Sequence, residues 1–181
     1  MIILVTGWAR SGKDSLAGIL RDKYGFVHFD FYRDILMEEV KRRGLEVSKD
    51  NASKTAIEMR QVSGNNGIMG KLMGEKIALE KNPNIVVTGG RSPEEVTELE
   101  KTGQKVLLIA VDADAEKRFQ RRLPNDPNTF EGFLERDKRD DARSRMGEIV
   151  NAAKIRLENN GSEEEFKEKI TELLKELLKK N

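Results

Sequence analysis

Gly7-Trp8-Ala9-Arg10-Ser11-Gly12-Lys13-Asp14-Ser15 lies between an apolar run, Ile2–Thr6, and a segment where Leu16, Ile19 and Leu20 recur at helical spacing. A strand, a tight glycine loop and a helix in that order form the context in which G-x-x-x-x-G-K builds a phosphate cradle, the P-loop. The glycines let the loop curl until successive backbone N–H groups point inward, and the helix N-terminus behind them adds the equivalent of about half a positive charge. Lys13 then reaches the β- and γ-phosphates of a nucleoside triphosphate. Every residue from Gly7 to Ser15 is therefore a candidate nucleotide contact, with ATP and Mg²⁺ the expected ligands. A turn with no ligand would leave Lys13 and both glycines unexplained at this spacing.

The metal position departs from the usual pattern. Asp14 stands where Ser or Thr ordinarily ligates Mg²⁺, and Ser15 follows it, so either Asp14 or Ser15 is the expected ligand. Many such proteins also end a neighbouring strand in an acid that assists the ion. Here the third strand candidate ends in Thr88-Gly89-Gly90. Asp30, ending the second, is the nearest substitute, as a water-mediated metal ligand or as a base for the acceptor; capping the following helix is the competing explanation.

Outward from the loop, further apolar runs read as buried parallel strands at Phe26–Asp30, Asn84–Thr88, Lys105–Val111 and Lys154–Glu158. Strands alternating with helices predict a doubly wound α/β sheet. Ser92-Pro93-Glu94-Glu95 marks one helix start, Asn128 with Glu131 a second, and Ser162 with Glu165 a third. In the last helix Phe166, Ile170, Leu173, Leu174, Leu177 and Leu178 share one face, which should pack on the sheet. The alternation of Glu with the lysines from Lys175 to Lys180 reads as a solvated outer face.

At 181 residues the chain fits a single domain, 1–181, burying about 70% of its unfolded surface. Its 33 basic and 32 acidic residues leave a net charge of +1, which argues against a nucleic-acid or anionic-membrane partner. With no Cys and one His, thiolate and His-based metal sites are excluded, as suits a reducing cytoplasm. No apolar run has the length of a signal or membrane segment, so a cytoplasmic location is expected. Oligomeric state leaves no mark.

Two stretches exceed a routine crossover. Residues 31–83 carry helical character at Arg33–Arg43, Asn51–Val62 and Gly67–Glu80, long enough for a helical acceptor-binding insertion opened by Tyr32, Arg33 and Asp34. Residues 118–146 have the composition of a mobile, arginine-bearing lid, with Arg118, Arg121 and Arg122 in one turn and Arg136 and Arg139 three residues apart. Gly89-Gly90-Arg91-Ser92-Pro93 puts Arg91 at the carboxyl end of a central strand, where α/β proteins bind ligands; an acceptor phosphate would be met there, unless Arg91 merely pairs with Glu94 or Glu95. His28, inside the second strand, reads as a packed core residue without chemistry.

The chain resembles small archaeal adenylate-kinase-related proteins of the nucleoside monophosphate kinase superfamily. The matching stretches are the loop itself, Lys41-Arg42-Arg43-Gly44-Leu45, Gly90-Arg91-Ser92-Pro93-Glu94-Glu95-Val96, Asn125-Asp126-Pro127-Asn128-Thr129-Phe130, Phe133-Leu134-Glu135-Arg136-Asp137, Met146-Gly147-Glu148-Ile149 and Glu163-Glu164-Glu165-Phe166-Lys167-Glu168-Lys169. The resemblance implies a P-loop NTPase fold whose parallel sheet has order 2-3-1-4-5, an acceptor site under the insertion, a short lid, and Arg91, Arg136 and Arg139 facing phosphate. Met37 stands in place of the family's acceptor-site Arg, Thr88 in place of its third-strand Asp, and the lid is shorter between Leu123 and Asn125. The Gly-Lys-Asp loop is also similar to that of phage deoxynucleoside monophosphate kinases and animal phosphomevalonate kinases, and Asp30 to an acid of dephospho-CoA kinase.

The expected activity is transfer of the γ-phosphoryl of ATP to a small phosphorylated acceptor, a nucleoside monophosphate first among them. Lys13, Arg136, Arg139 and Asp30 would carry the chemistry; Arg33, Asp34 and Arg91 would hold the acceptor; Arg118 and Arg121 would belong to the lid. The rival is an ATP- or AMP-binding regulatory or assembly module with little turnover.

Overall fold

The computed structural model describes residues 1–179, the side chain of Leu178 excepted. Alternation along one strand organises it. In β1 (Ile2–Thr6) every residue is buried, because the strand lies in the middle of the sheet and both its faces are covered. Ile2 and Leu4 point to one side, Ile3 and Val5 to the other. Around it lie β2 (Val27–Asp30), β3 (Ile85–Thr88), β4 (Val106–Asp112) and β5 (Ile155–Glu158), in the order β2-β3-β1-β4-β5. All neighbours are parallel, with Ile2 opposite both Ile85 and Val106. This is the expected order of a P-loop NTPase sheet.

β1 has the expected bounds, whereas β2 to β5 each begin a residue later than the apolar runs suggest. At the sheet's lower edge, for example, Asn84 contributes only a carbonyl to Val27 N–H at 3.0 Å. β4 also extends to Asp112, whose carbonyl accepts Asn159 N–H at 2.7 Å.

On one face α1 (Lys13–Tyr24) and α9 (Glu163–Lys179) bury Leu16, Leu20, Phe166, Ile170 and Leu174 against Ile3 and Val5. Leu173 and Leu177 pack at the border of that cluster, whereas the Leu178 side chain and Lys180 lie outside the described residues. The opposite face receives α3 (Lys49–Ser63), α4 (Ile68–Ile77), α5 (Pro93–Glu100) and α8 (Met146–Ala152), with α2 (Met37–Arg42) packed against α3. Met69, Met73, Ile77, Leu99 and Ile149 pack there with Ile2 and Leu4. Each such side chain contributes about 1.5–3 kcal/mol when fully withdrawn from water. α4 can lie this close to α5 because Gly70 faces it; a Cβ there would approach the Glu95 carbonyl oxygen to 2.5 Å.

Local hydrogen bonding sets the helix starts. The Glu95 carboxylate accepts from Ser92 N at 3.3 Å and Arg91 N at 2.7 Å, the expected start of α5. At α9, Ser162 N donates to Glu165 and Glu165 N to Ser162 Oγ. The start of α7 (Phe130–Ser144) corrects the sequence reading by one residue: Thr129, not Asn128, is extended and accepts Gly132 N at 3.2 Å. After β2 the chain does not enter a regular helix at Arg33. A π-helical turn, Tyr32–Leu36, leads into α2, because Asp30 N donates to the Asp34 carboxylate while Arg33 N donates to the Asp30 carboxylate. Between β4 and α7 lies the short α6 (Ala115–Gln120). Among the described residues no helix is long and apolar enough to cross a membrane.

Candidate active site

The loop between β1 and α1 closes on itself at the carboxyl end of the central strand. Gly7 (φ 142) and Gly12 (φ 111) adopt backbone conformations that side chains rarely tolerate. A Cβ at Gly7 would collide with the Val111 carbonyl, and one at Gly12 with the Asn159 amide. Lys13 Nζ donates to Trp8 O at 2.9 Å from inside the curl. From outside, Asn159 Nδ2 donates to Ser11 O at 2.7 Å and Arg118 Nη1 to Ala9 O at 3.3 Å. Burial lowers the Lys13 ammonium to about 8, with Arg91 and Arg118 acting in the same direction and Asp14 and Asp30 against it. A partly buried cation of weakened basicity gains from an anion.

The acid missing from β3 comes from its neighbour. Asp30 and Thr88 are register partners on β2 and β3, and Thr88 Oγ1 donates to Asp30 Oδ2 at 2.8 Å. Asp30 Oδ1 accepts Arg33 N at 2.9 Å, so this residue caps the following turn and flanks the loop at once. Gly89 (φ 84) runs beside the carboxylate, its Cβ position 3.2 Å from Oδ2. His28 corrects the core reading: it is half-buried, with Nε2 2.8 Å from Thr88 Oγ1. Burial, reinforced by Arg33, lowers its basicity against the pull of Asp30 and Asp14.

Asp14 and Ser15 are both exposed in the first turn of α1. Among the described residues no group of three or more His, Cys, Asp and Glu could hold a metal unaided. Mg²⁺ ordinarily keeps several waters and takes one or two carboxylates together with substrate phosphates. Asp14, within electrostatic reach of Lys13, could supply such a carboxylate directly, or Ser15 a hydroxyl, with Asp30 acting through water.

A narrow cleft of about 70 Å³, room for a few waters or one phosphoryl group, joins Lys13 to Gly89, Gly90, Arg91, Asp140 and Met146. The Arg91 guanidinium pairs loosely with Asp140, at 3.7 Å, and is half exposed. Its sequence neighbours have other partners, Glu95 binding Arg60 at 3.3 Å and Glu94 binding Arg145. Arg33 instead forms a fork with Asp34, Nε to Oδ1 at 2.9 Å and Nη2 to Oδ2 at 2.7 Å, and also reaches His28 O. The Arg33–Asp34 pair is thus tied to itself beside Asp30, apart from the cleft residues around Arg91.

The arginines of 118–146 are not equivalent. Arg118 is buried, donating to Asp137 Oδ2 at 2.6 Å and lying against the Trp8 and Phe133 rings. Arg136 donates to Asp126 Oδ1 at 2.8 Å, and its Nε and Nη2 are buried without a hydrogen-bond acceptor. Arg121 makes only a 3.5 Å contact to Gly161 O, and Arg139 is exposed. Asp126 also takes Arg10 Nε from the P-loop at 2.6 Å. Asp126 and Asn159 are the organising residues that sequence reasoning did not single out. An Asp or Asn within a turn-forming stretch such as Asn125-Asp126-Pro127 has no local signature for such a role.

A family model described as an AAA domain matches residues 3–140. The chain is 36% identical to a UPF0200 protein of Thermococcus kodakarensis over 99% of its length and 100% of that protein's. It is 34% identical to one of Thermococcus gammatolerans, over 99% and 96% respectively. Among solved structures, shikimate kinases are similar: that of Bacteroides thetaiotaomicron has a TM-score of 0.63 at 14% identity over 98% of each chain. That of Aquifex aeolicus has 0.56 at 17%, over 99% of this chain and 98% of that one. At such identities the likeness shows the fold alone, the five-stranded parallel sheet flanked by helices.

Proposed function

The chain belongs to the UPF0200 family and carries an AAA domain, and from that premise we propose that it is an ATP- and Mg²⁺-dependent kinase of a small phosphorylated acceptor. A nucleoside monophosphate is the leading acceptor class, supported by the resemblance of the loop, Lys41–Leu45 and Gly90–Val96 to kinases of that kind. The observation that carries the reading is the cleft itself, which sets Lys13 and Arg91 on one space beside Asp30.

In this reading the loop amides and Lys13 hold the donor's phosphates. Asp14 or Ser15 would hold Mg²⁺, which would supply neutralisation of the donor's phosphate charge. Arg91 meets the acceptor's anionic group, and Arg136, once released from Asp126 and Asp137, and the exposed Arg139 turn toward the transferring phosphoryl. Asp30 either holds a water of the ion or, with an alcohol as nucleophile, takes its proton. Rate enhancement is then positioning and charge neutralisation, with no covalent enzyme intermediate.

Incubation with ATP, Mg²⁺ and a panel of nucleoside monophosphates, dephospho-CoA and phosphomevalonate tests this. ADP formation that depends on one acceptor supports the kinase. ATP binding with no ADP from any acceptor supports the rival, a nucleotide-binding module, which the commitment of Arg118 and Arg136 to carboxylates favours.

A further inference from the structure

Behind Asp30 runs a line of hydrogen bonds that the proposed reaction leaves without a role. We propose that Thr88 and His28 are positioning residues that hold the Asp30 carboxylate in the orientation it presents beside Gly89 and Lys13; the inference rests on the kinase reading and deepens the role of that acid.

The protons can be assigned from chemistry. A threonine hydroxyl has one proton to give, and an ionised carboxylate only accepts. At 2.8 Å from Asp30 Oδ2, the Thr88 proton points to the carboxylate. The hydroxyl therefore offers a lone pair to His28, also at 2.8 Å, and Nε2 must carry the imidazole hydrogen. The opposite tautomer would draw the Thr88 proton to the ring and strip Asp30 of its donor.

The result is a carboxylate held at both oxygens, by Thr88 Oγ1 on one and by Arg33 N at 2.9 Å on the other. Each oxygen keeps a lone pair for a further donor. Thr88 is 1% exposed, so water does not readily replace its hydroxyl. His28 and Asp30 lie two residues apart on β2, hence on one face, and Thr88 lies opposite Asp30 on β3. Sheet register alone brings the three together. A threonine at the usual acid's position thus holds the neighbouring strand's acid in its stead.

His28 is the chain's single histidine, so the ¹⁵N spectrum of labelled imidazole reports it without ambiguity. The expected result is an Nε2–H tautomer in the natural protein and loss of that preference in Thr88→Val. A dominant Nδ1–H tautomer in the natural protein overturns the proposal. In turnover, Thr88→Val should lower kcat roughly ten- to a hundredfold, the scale of a misplaced group, with the KM for ATP within about twofold. Thr88→Ser, which keeps the hydroxyl, should restore most of it. His28→Leu should reproduce part of the loss. A folded Thr88→Val with unchanged kcat also overturns the proposal. The spectrum can be read whether or not any acceptor is turned over, so failure of the kinase reading and failure of the hydrogen-bonded line are separate results.

Discussion

Asp126 Oδ2 accepts a hydrogen bond from Arg10 Nε at 2.6 Å and thereby ties the segment before α7 to the crest of the phosphate-binding loop. Arg10 is held with φ +66, unusual for a residue with a side chain. Asp126 Oδ1 holds Arg136 as well, and Leu123 N closes on Oδ2 at 2.8 Å. One buried carboxylate therefore balances two guanidiniums that belong to different parts of the site.

Removing that carboxylate leaves both arginines without their counter-charge. Asp126→Ala should destabilise the protein by about 1–3 kcal/mol, below the cost of breaking a fully buried pair because both arginines keep some solvent access. Triphosphate then offers them a new anion. The rise in melting temperature on adding ATP should be larger in Asp126→Ala than in the natural protein, and equal increments would count against any contact between Arg10 or Arg136 and nucleotide.

Lys13 sets a basic limb. Its folded value is lowered to about 8, whereas the unfolded chain keeps the ordinary lysine value, so between these the unfolded state binds more protons. Stability therefore rises with pH through that window, and urea unfolding should show the rise in the natural protein but not in Lys13→Met. Phosphate needs the protonated form, so ATP affinity should fall above pH 8. Near pH 8.5, calorimetry in buffers of different ionisation heat should detect proton uptake on binding. No uptake would separate Lys13 from the phosphates.

The acidic limb comes from paired carboxylates. Glu39 is lowered to about 2, first by Arg42 and then by Arg43, and Asp126 is lowered by Arg10, Leu123 N and Arg136 against the cost of its burial. Carboxylates with depressed values stabilise the fold above their unfolded values and lose that contribution as pH falls through the folded ones. Stability should decline from about pH 4 toward pH 2, and Glu39→Gln should flatten the decline.

Arg91 and Arg139 separate binding from chemistry. Arg91→Ala should raise the acceptor KM while the KM for ATP stays constant. Arg139 is exposed, so Arg139→Ala should leave melting within about 0.5 kcal/mol of the natural protein. If it closes on the transferring group, kcat should fall on the order of 10³-fold or more. Unchanged kcat would remove Arg139 from the mechanism.

The parts legible in the sequence are those that short-range chemistry enforces. The apolar run Ile2–Thr6, the glycines at 7 and 12 and the spacing of Leu16 and Leu20 specify a strand, a curled loop and a helix from neighbours alone. Ser92 with Glu95 and Ser162 with Glu165 announce their helices because the capping partners lie three residues apart. The same logic falls short by one residue at Thr129, since Asn128 is an equally good acceptor and only the backbone conformation chooses between them.

Partners distant along the chain carry no such mark. Nothing near Arg136 says that Asp126 will hold it, and nothing near Ser11 points to Asn159, 148 residues away. The acid beside the loop is the sharpest case. The sequence by itself determined that Lys13 sits behind a curled glycine loop at the end of a buried strand, because that unit is local. That Asp30 is held by Thr88, 58 residues on, was decided only when β2 and β3 paired in register, for a hydrogen bond across strands depends on sheet order and no local period encodes it.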